Sequence, residues 1–347
     1  MRTKLWHSEE VFETLKPEWN ALLHRSTTDV IFLTWEWQST WWKAYQAGEL
    51  WIVSVHDDDG HLVAIAPWFV HNRDGERVIR TIGCVDVTDY VDIIVDRECV
   101  EPVLEALASL LAEHHSAYDR INLCNIPETS PTYLRFPDAL RQRQFNADMV
   151  LQEVCPVIQL PQTWEDYLSM LDKKQRHELR RKLRKAENEA VIEYHVTTSE
   201  ADFAHDVDIF IHLMRSSQPA KAEFLDDEKN LRFFRNILRV TFDKGWLRLS
   251  FLKVNQREVA AYCDFDYNQH ILVYNSGLVL DEYAHLSTGI VLLCYNIRSA
   301  IEANRTVFDF LRGNETYKYR MGAVDTRVFK LVARLGVPAA ASAGHGD

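Results

Sequence analysis

One stretch, residues 287–321, constrains the fold of this chain more than any other. It opens with Ser-Thr-Gly, and apolar residues from Ile290 to Ile301 then recur at helical spacing. Asn304 can end that helix in a left-handed conformation. A short β-prone run at 307–311 follows, and a glycine and a dense polar cluster come directly after it. The pattern predicts a helix, a strand and a polar loop, an arrangement in which α/β proteins often place catalytic groups.

The polar cluster belongs to a longer motif, F-D-F-L-R-G-N-E-T-Y-K-Y-R-M-G at 308–322. The motif resembles the signature of CelD-like (cellulose-biosynthesis-associated) acetyltransferases, a branch of the GNAT superfamily to which FemAB-type transferases are distantly related. The resemblance covers residues 164–335 well and the N-terminal half more loosely. It implies acyl transfer from a thioester.

The length of the chain favours two domains. A chain of 347 residues exceeds the usual size of one domain. The two halves share an order of helices and strands, with helices predicted at 202–216 and 226–243 in the second. An internal repeat with an offset of roughly 190 residues indicates a duplicated domain. Together with the resemblance, this predicts a mixed α/β fold of tandem GNAT-like domains, each a central mixed sheet flanked by helices.

Two prolines, Pro156 and Pro161, bracket a β-prone run that reads as a crossing segment between the domains. We predict a degenerate GNAT-like domain at 1–153, an acyltransferase domain at 154–335 and a flexible tail at 336–347. In the first domain, residues 126–137 contain three prolines and read as a loop.

Charge and composition exclude several classes of function. The net charge of −12 disfavours binding to DNA or to an anionic membrane. No apolar run approaches the ~20 residues that span a bilayer, and the N-terminus lacks an apolar signal core. The six cysteines form no C-x-x-C pair, so we expect buried free thiols in the reducing cytoplasm. The histidines are scattered, and no metal is expected.

A basic segment stands out against the acidic background. Thr163 can cap a helix that begins at Trp164 and continues into 173–185, where eight of thirteen residues are Lys or Arg. The segment can be a solvated face whose charges pair with neighbouring glutamates. It can also bind the phosphates of a nucleotide-bearing acyl donor, an anionic acceptor or an RNA end. From it we predict Arg180 and Arg184 as donor-binding residues.

The resemblance also implies a phosphate-binding loop before the 290–304 helix. Backbone N–H groups at such a helix start bind phosphate. The loop has one glycine where the usual GNAT pattern has two, so a plain capped helix is equally consistent with it. The predicted donor is acetyl-CoA or another acyl-CoA, with an acyl carrier protein or a charged tRNA as alternatives. The predicted donor-binding residues here are His285, Ser287, Thr288 and Gly289.

Acyl transfer requires a base, an oxyanion donor and an acid for the leaving thiolate. The resemblance implies Tyr317 as the acid, with Tyr319 as its rival, and backbone around 274–277 as the oxyanion donor. Glu315 or Asp264 can act as the base. The predicted substrate-binding residues are Arg312, Asn314, Lys318 and Asp309, of which the last can also be structural.

Three functions remain open from the sequence. The first is a GNAT-type acyltransferase acting on the amine or hydroxyl of a small or carbohydrate acceptor. The second is a catalytically silent duplicated scaffold that binds a metabolite or partner, favoured by the degenerate loop. The third is a FemAB-like transferase that uses aminoacyl-tRNA. The intact polar cluster after Gly313 favours an enzyme.

Overall fold

A computed structural model describes residues 1–84, 87–279 and 283–336. The chain divides into two compact units. Unit 1 comprises residues 1–42, 46–153 and 327–347, and unit 2 comprises residues 43–45 and 154–326.

Unit 1 contains four helices and two sheets in its described part. The helices are α1 (Glu10–Arg25), α2 (Trp35–Tyr45), α3 (Val100–Glu113) and α4 (Pro131–Arg141). The strands are β1 (Arg2–Trp6), β2 (Glu49–Leu50), β3 (Ile52–His56), β4 (Leu62–Ala66), β5 (Trp68–Arg73), β6 (Glu76–Thr81), β7 (Ile94–Val95), β8 (Arg120–Pro127) and the first part of β9 (Phe145–Gln159). One sheet has the order β1-β3-β4-β7, and β8, β6, β5 and β2 are consecutive neighbours in the other.

The region of unit 1 predicted as a loop is partly regular. β8 extends to Pro127, and α4 follows from Pro131. Pro131 occupies the first turn of α4, where a missing N–H costs nothing, and Ser130 caps the helix by accepting from the Thr132 N–H. The loop prediction was therefore wrong for most of 126–137, because Pro131 at the helix start and Pro137 inside the helix were read as breakers.

The cysteines also depart from expectation. Cys84 and Cys124 form a disulfide in unit 1, with their Cα atoms 6.0 Å apart. Cys99, Cys155, Cys263 and Cys294 are free. The prediction of six free thiols was wrong for this pair, which lies 40 residues apart in sequence, so that the chain must fold before the two sulfurs meet.

Unit 2 has seven helices in its described part, and a mixed sheet. The helices are α5 (Trp164–Met170), α6 (Lys173–Glu189), α7 (Glu200–Ser217), α8 (Pro219–Asp226), α9 (Glu228–Asp243), α10 (Thr288–Glu302) and α11 (Thr316–Arg320). Its own strands are β10 (Ile192–Val196), β11 (Leu247–Val254), β12 (Arg257–Tyr267), β13 (His270–Leu278) and β14 (Val307–Asp309). The order is β10-β11-β12-β13-β14, and the end of β9 pairs with β14.

The single helix predicted from Trp164 is two helices. α5 ends at Met170, and Asp172 starts α6 by accepting a hydrogen bond from the Gln175 N–H at 2.9 Å. An aspartate at the N-cap accepts a hydrogen bond from a backbone N–H at the start of the helix. In one continuous helix, that N–H would bond to the carbonyl four residues earlier. Apolar Leu179 and Ala186 of α6 are buried in unit 2.

The sheet of unit 2 opens along one strand. β13 pairs with β12 along its length, but it pairs with β14 in parallel only at His270–Leu272. Residues 273–278 of β13 therefore lie beyond the last residue that pairs with β14. Gly277 is required there, because a Cβ would lie 2.3 Å from the backbone N of Met214 in α7.

The two units repeat one structural feature. In unit 1 the parallel strands β6 and β8 are joined through α3, and α4 follows. In unit 2 the parallel strands β13 and β14 are joined through α10, and α11 follows. The mixed α/β class predicted from the sequence, with helices flanking sheets, is confirmed. No helix in the described part of the chain is long and apolar enough to cross a membrane.

The end of the chain changes one predicted boundary. Residues 327–335, assigned above to the second domain, belong to unit 1. The reason is that Val328–Ala333 of β15 (Val324–Leu335) pairs with β8. The predicted flexible tail, 336–347, lies outside the described residues except for Gly336.

Candidate active site

The polar cluster after β14 folds into a tight turn around a buried lysine. Lys318 is 2% exposed, and its ammonium donates to the carbonyls of Leu311, Arg312 and Gly313 at 3.3, 2.8 and 3.0 Å. It also forms an ion pair with Glu315 at 2.9 Å. The Lys318 ammonium, which the sequence analysis assigned to substrate binding, therefore makes these contacts within the turn and stabilises its shape.

Asp309 supports the same turn from the end of β14. The side chain is buried, and its Oδ1 accepts a hydrogen bond from the Leu311 N–H at 2.7 Å. Leu311 has a φ of 55° and Gly313 a φ of 112°, conformations that need such local support. Of the remaining predicted substrate-binding residues, Arg312 is half-buried and Asn314 is exposed.

α11 leaves this turn and presents its two tyrosines differently. Tyr317 is half-buried with its ring edge-on to Phe310, and it lines a cleft of about 400 Å³. Burial raises the pKa of Tyr317, and the nearby charges of Glu315 and Asp264 raise it further. Tyr319 is 38% exposed, and its hydroxyl donates to Asp325 at 2.8 Å. The segment predicted above as a polar loop therefore contains the five-residue helix α11.

The cleft lies between α6, α10 and α11. Basic groups dominate its polar lining, and α10 contributes the apolar Ile290. Its lining residues are Lys174, Gln175, His177, Glu178, Leu179, Lys182, Ile290, Tyr317, Arg320 and Met321. Tyr317 therefore shares one concave surface with cations of the basic helix.

Two lysines of α6 reach the start of α10. The Lys182 ammonium lies 3.0 Å from the Ser287 hydroxyl, and the Lys185 ammonium donates to the His285 carbonyl at 3.1 Å. Ser287 has a φ of 57°, and its carbonyl accepts the Ile290 and Val291 N–H groups. The first two N–H groups of α10 still have no partner within the helix, so this end attracts anions.

The space at this helix start also fits a ligand. A Cβ built on Gly289 would meet no atom nearer than the Leu278 side chain at 3.7 Å. Thr288 itself is buried. Two ammonium groups, a hydroxyl and a helix N-terminus suit the phosphates of an acyl-CoA.

The predicted arginines lie on another side of α6. Arg180 pairs with Glu165 at 2.7 Å, and Arg184 donates to the Arg180 carbonyl at 3.3 Å. A residue two positions along a helix points about 200° away, so Lys182 cannot share the face of Arg180. The structure brings Lys182 and Lys185, rather than Arg180 and Arg184, to the loop.

Asp264, one of two predicted bases, lies in the core of unit 2. It is 0% exposed; its Oδ2 accepts from Asn296 at 3.2 Å, and its Oδ1 has no partner among the described residues. Burial raises the pKa of Asp264 to about 8, while Arg248 on the neighbouring strand opposes the shift. A carboxyl in this position is protonated near neutral pH and has no exposed surface for an acceptor.

Lys221 is a lysine beside β13 that the sequence analysis did not single out. It lies on α8 and donates to the carbonyl of Ser276, on the open part of β13. No local motif distinguishes it. Lys182 and Lys185, in contrast, lie near the face of α6 that carries the buried residues Leu179 and Ala186. Their spacing from these residues predicts that their side chains point toward the core.

Three side chains outside unit 2 lie close enough together to hold a metal ion. They are Asp57, Asp59 and His61, in the turn between β3 and β4. Asp57 accepts the His61 N–H at 2.8 Å, a contact that accounts for the turn itself. The group belongs to unit 1.

Sequence comparison identifies the domain that carries this site. Residues 173–319 match the acetyltransferase (GNAT) domain family. The GNAT match runs from the start of α6 to Tyr319 and so includes every cleft-lining residue except Arg320 and Met321. No curated protein sequence matches the chain significantly. The GNAT part of the predicted resemblance is confirmed, and its CelD-like branch stays a prediction.

Solved structures share the fold over nearly the whole chain. FemX has a TM-score of 0.64 at 12% identity, covering 95% of this chain and 97% of its own. L-PGS from Bacillus licheniformis has a TM-score of 0.53 at 11% identity, covering 96% and 93%. The C-terminal domain of a putative lysylphosphatidylglycerol synthetase from Agrobacterium fabrum has 0.54 at 8%, covering 92% of both. At these identities the likeness concerns the fold alone.

Proposed function

We propose that unit 2 transfers an acyl group from an acyl-CoA to the amine or hydroxyl of a small or carbohydrate acceptor. One observation carries the proposal: the cleft that Tyr317 lines also contains Lys182, whose ammonium lies at the start of α10. An anion-binding helix end and a protonated phenol in one cleft suit a phosphate-bearing donor with a thiolate leaving group.

In this proposal the donor phosphates bind Lys182, Lys185 and the N–H groups that begin α10. The thioester extends toward Tyr317 and the open part of β13. Backbone N–H groups of residues 273–278, the part of β13 beyond its pairing with β14, then stabilise the oxyanion.

Tyr317 is the acid for the departing thiolate. Its raised pKa keeps the phenol protonated at neutral pH, which is the state an acid requires. When the bond between the acyl carbon and sulfur breaks, the phenol proton passes to the sulfur. Solvent then reprotonates the phenolate.

Donor binding is the decisive measurement. Calorimetry and thermal shift with acetyl-CoA, longer acyl-CoAs and free CoA should show binding, since a ligand selective for the native state raises its melting temperature. Chain-length preference would identify the acyl group. An absence of binding by every thioester would refute the proposal and favour the silent scaffold.

A larger polyanionic donor is the second candidate. α6 presents further cations that do not line the cleft, including Lys173 and Arg176, which a free CoA does not need. A charged tRNA could use them, and an acidic acyl carrier protein could as well. Displacement of bound acetyl-CoA by uncharged tRNA at low salt would support this candidate.

A further inference from the structure

Lys221 occupies a position beside the open strand that no assigned role explains. It is half-buried on α8, and its ammonium donates to the Ser276 carbonyl and lies 3.5 Å from the Ser276 hydroxyl. The Ser276 N–H donates to the Asn275 side chain at 2.8 Å. Both backbone groups of Ser276 are therefore held by side chains at the place where the sheet opens.

The surroundings of Lys221 favour its neutral form. Among the described residues, no carboxylate lies within ion-pair distance of it. Burial lowers the pKa of Lys221 to about 8, and the negative charge of Glu315 on α11 opposes the shift. Asp226, at the end of α8, pairs with Arg215 of α7, and β13 faces the amine with the uncharged Ser276.

The other candidate bases are less suitable. Asp264 is sealed in the core with its proton bound, as described above. The Glu315 carboxylate is engaged by Lys318 at 2.9 Å, and moving it would disturb the turn that positions α11. Lys221 combines a position beside Ser276, on the open part of β13, with an amine that needs little energy to lose its proton.

We propose that the ε-amine of Lys221 is the general base that accepts the acceptor's proton in the reaction proposed above. The neutral Lys221 amine takes one proton from the acceptor, either from a hydroxyl or from the nitrogen of an uncharged amine. The freed electron pair attacks the thioester carbonyl, the bond to sulfur breaks, and Tyr317 protonates the thiolate. The resulting Lys221 ammonium returns its proton to solvent and rebinds the Ser276 carbonyl. This inference rests on the proposed function.

A labelling experiment tests the amine without any acceptor. The intact protein is treated with a trace of acetic anhydride across pH 6–11, and mass spectrometry follows the acetylation of each lysine. Lys221 should titrate near pH 8, below the other lysines, and saturating acetyl-CoA should slow its labelling. The proposal would be overturned if Lys221 titrated together with the exposed Lys229, or if acetyl-CoA left the labelling rate of Lys221 unchanged.

Kinetics separate the base from a structural role. Thiol release from acetyl-CoA, with water or hydroxylamine as the acceptor, is measured against pH for wild type, Lys221→Met, Lys221→Arg and the control Lys229→Met. Lys221→Met should lose about 10²-fold in turnover and the inflection near pH 8, with Kd for acetyl-CoA unchanged. Lys221→Arg should not restore it, because a guanidinium stays protonated.

The outcomes distinguish the two proposals. A wild-type pH profile in Lys221→Met would overturn the base role and leave the acyltransferase intact. Wild-type protein that neither binds acetyl-CoA nor releases thiol would remove the acyltransferase, and the base role would fall with it. Melting temperatures of the variants show whether each has folded.

Discussion

The ammonium of Lys182 lies 3.0 Å from the hydroxyl of Ser287, residues 105 positions apart in the chain. This contact brings the basic helix α6 to the N-terminal, positive end of α10. A phosphate bound there would contact lysine ammonium groups as well as backbone N–H groups. It therefore connects the basic segment of α6 with the start of the stretch 287–321, which carries the Tyr317 motif.

Changing Lys182 and Lys185 to alanine should weaken acetyl-CoA binding at least tenfold at low salt. The pair provides two of the cations at the helix start, and charge-assisted bonds to phosphate are among the stronger contacts. Isothermal calorimetry measures the change. The matched control, Arg180→Ala with Arg184→Ala, removes two charges from the other side of α6 and should leave Kd within about twofold. Equal losses in both double variants would contradict the assignment.

Tyr317→Phe should lower turnover by about ten- to a thousandfold while Kd for the donor changes little. The substitution removes only the hydroxyl, so the ring still packs against Phe310. Because burial raises the pKa of Tyr317, no loss of activity from its ionisation is expected below pH 10. Tyr319→Phe, in contrast, removes an exposed bond to Asp325 and should retain most activity. Steady-state kinetics of both variants provide the comparison, and a larger loss at Tyr319 would reverse the assignment.

Lys318→Met should destabilise the fold by about 2–4 kcal/mol. The methionine keeps the apolar stem but leaves three carbonyls of the 311–313 turn without their donor. Urea unfolding measures the loss, and Tyr319→Phe on the same helix serves as the stability control. Unchanged stability with lost activity would instead place Lys318 in substrate binding.

Asp264→Asn should change how stability depends on pH. The folded protein holds the Asp264 proton up to about pH 8, whereas the unfolded chain releases it near the ordinary aspartate pKa of 3.8. Between these values the folded state binds more protons, so this carboxyl makes stability fall as pH rises. Asparagine removes that dependence, so the variant should gain relative to wild type from pH 4 to pH 8. Urea unfolding at both pH values tests this; a constant difference between the proteins would show that the Asp264 pKa is not raised.

Local pattern in the sequence was sufficient for much of unit 2. The helical spacing from Ile290 to Ile301 and the β-prone run after it correspond to α10 and β14. Asn304 has the left-handed φ, 55°, that its residue type predicts. Such features depend on neighbours within a few residues, which a sequence displays directly.

Other features required the tertiary structure. Which cations of α6 meet the loop before α10 depends on how the helix is rotated against the core. The burial of Asp264 and the placement of Lys221 beside Ser276 depend on strands and helices that lie far apart in sequence. The partner of Cys84 and the assignment of 327–335 to unit 1 likewise depend on pairings across long separations. By itself the sequence determined α10, β14 and the motif that carries Tyr317, because those follow from short-range periodicity and backbone preference. Only the tertiary structure decided which charged groups lie in water and which lie in the core, because the free energy of a charge depends on what surrounds it.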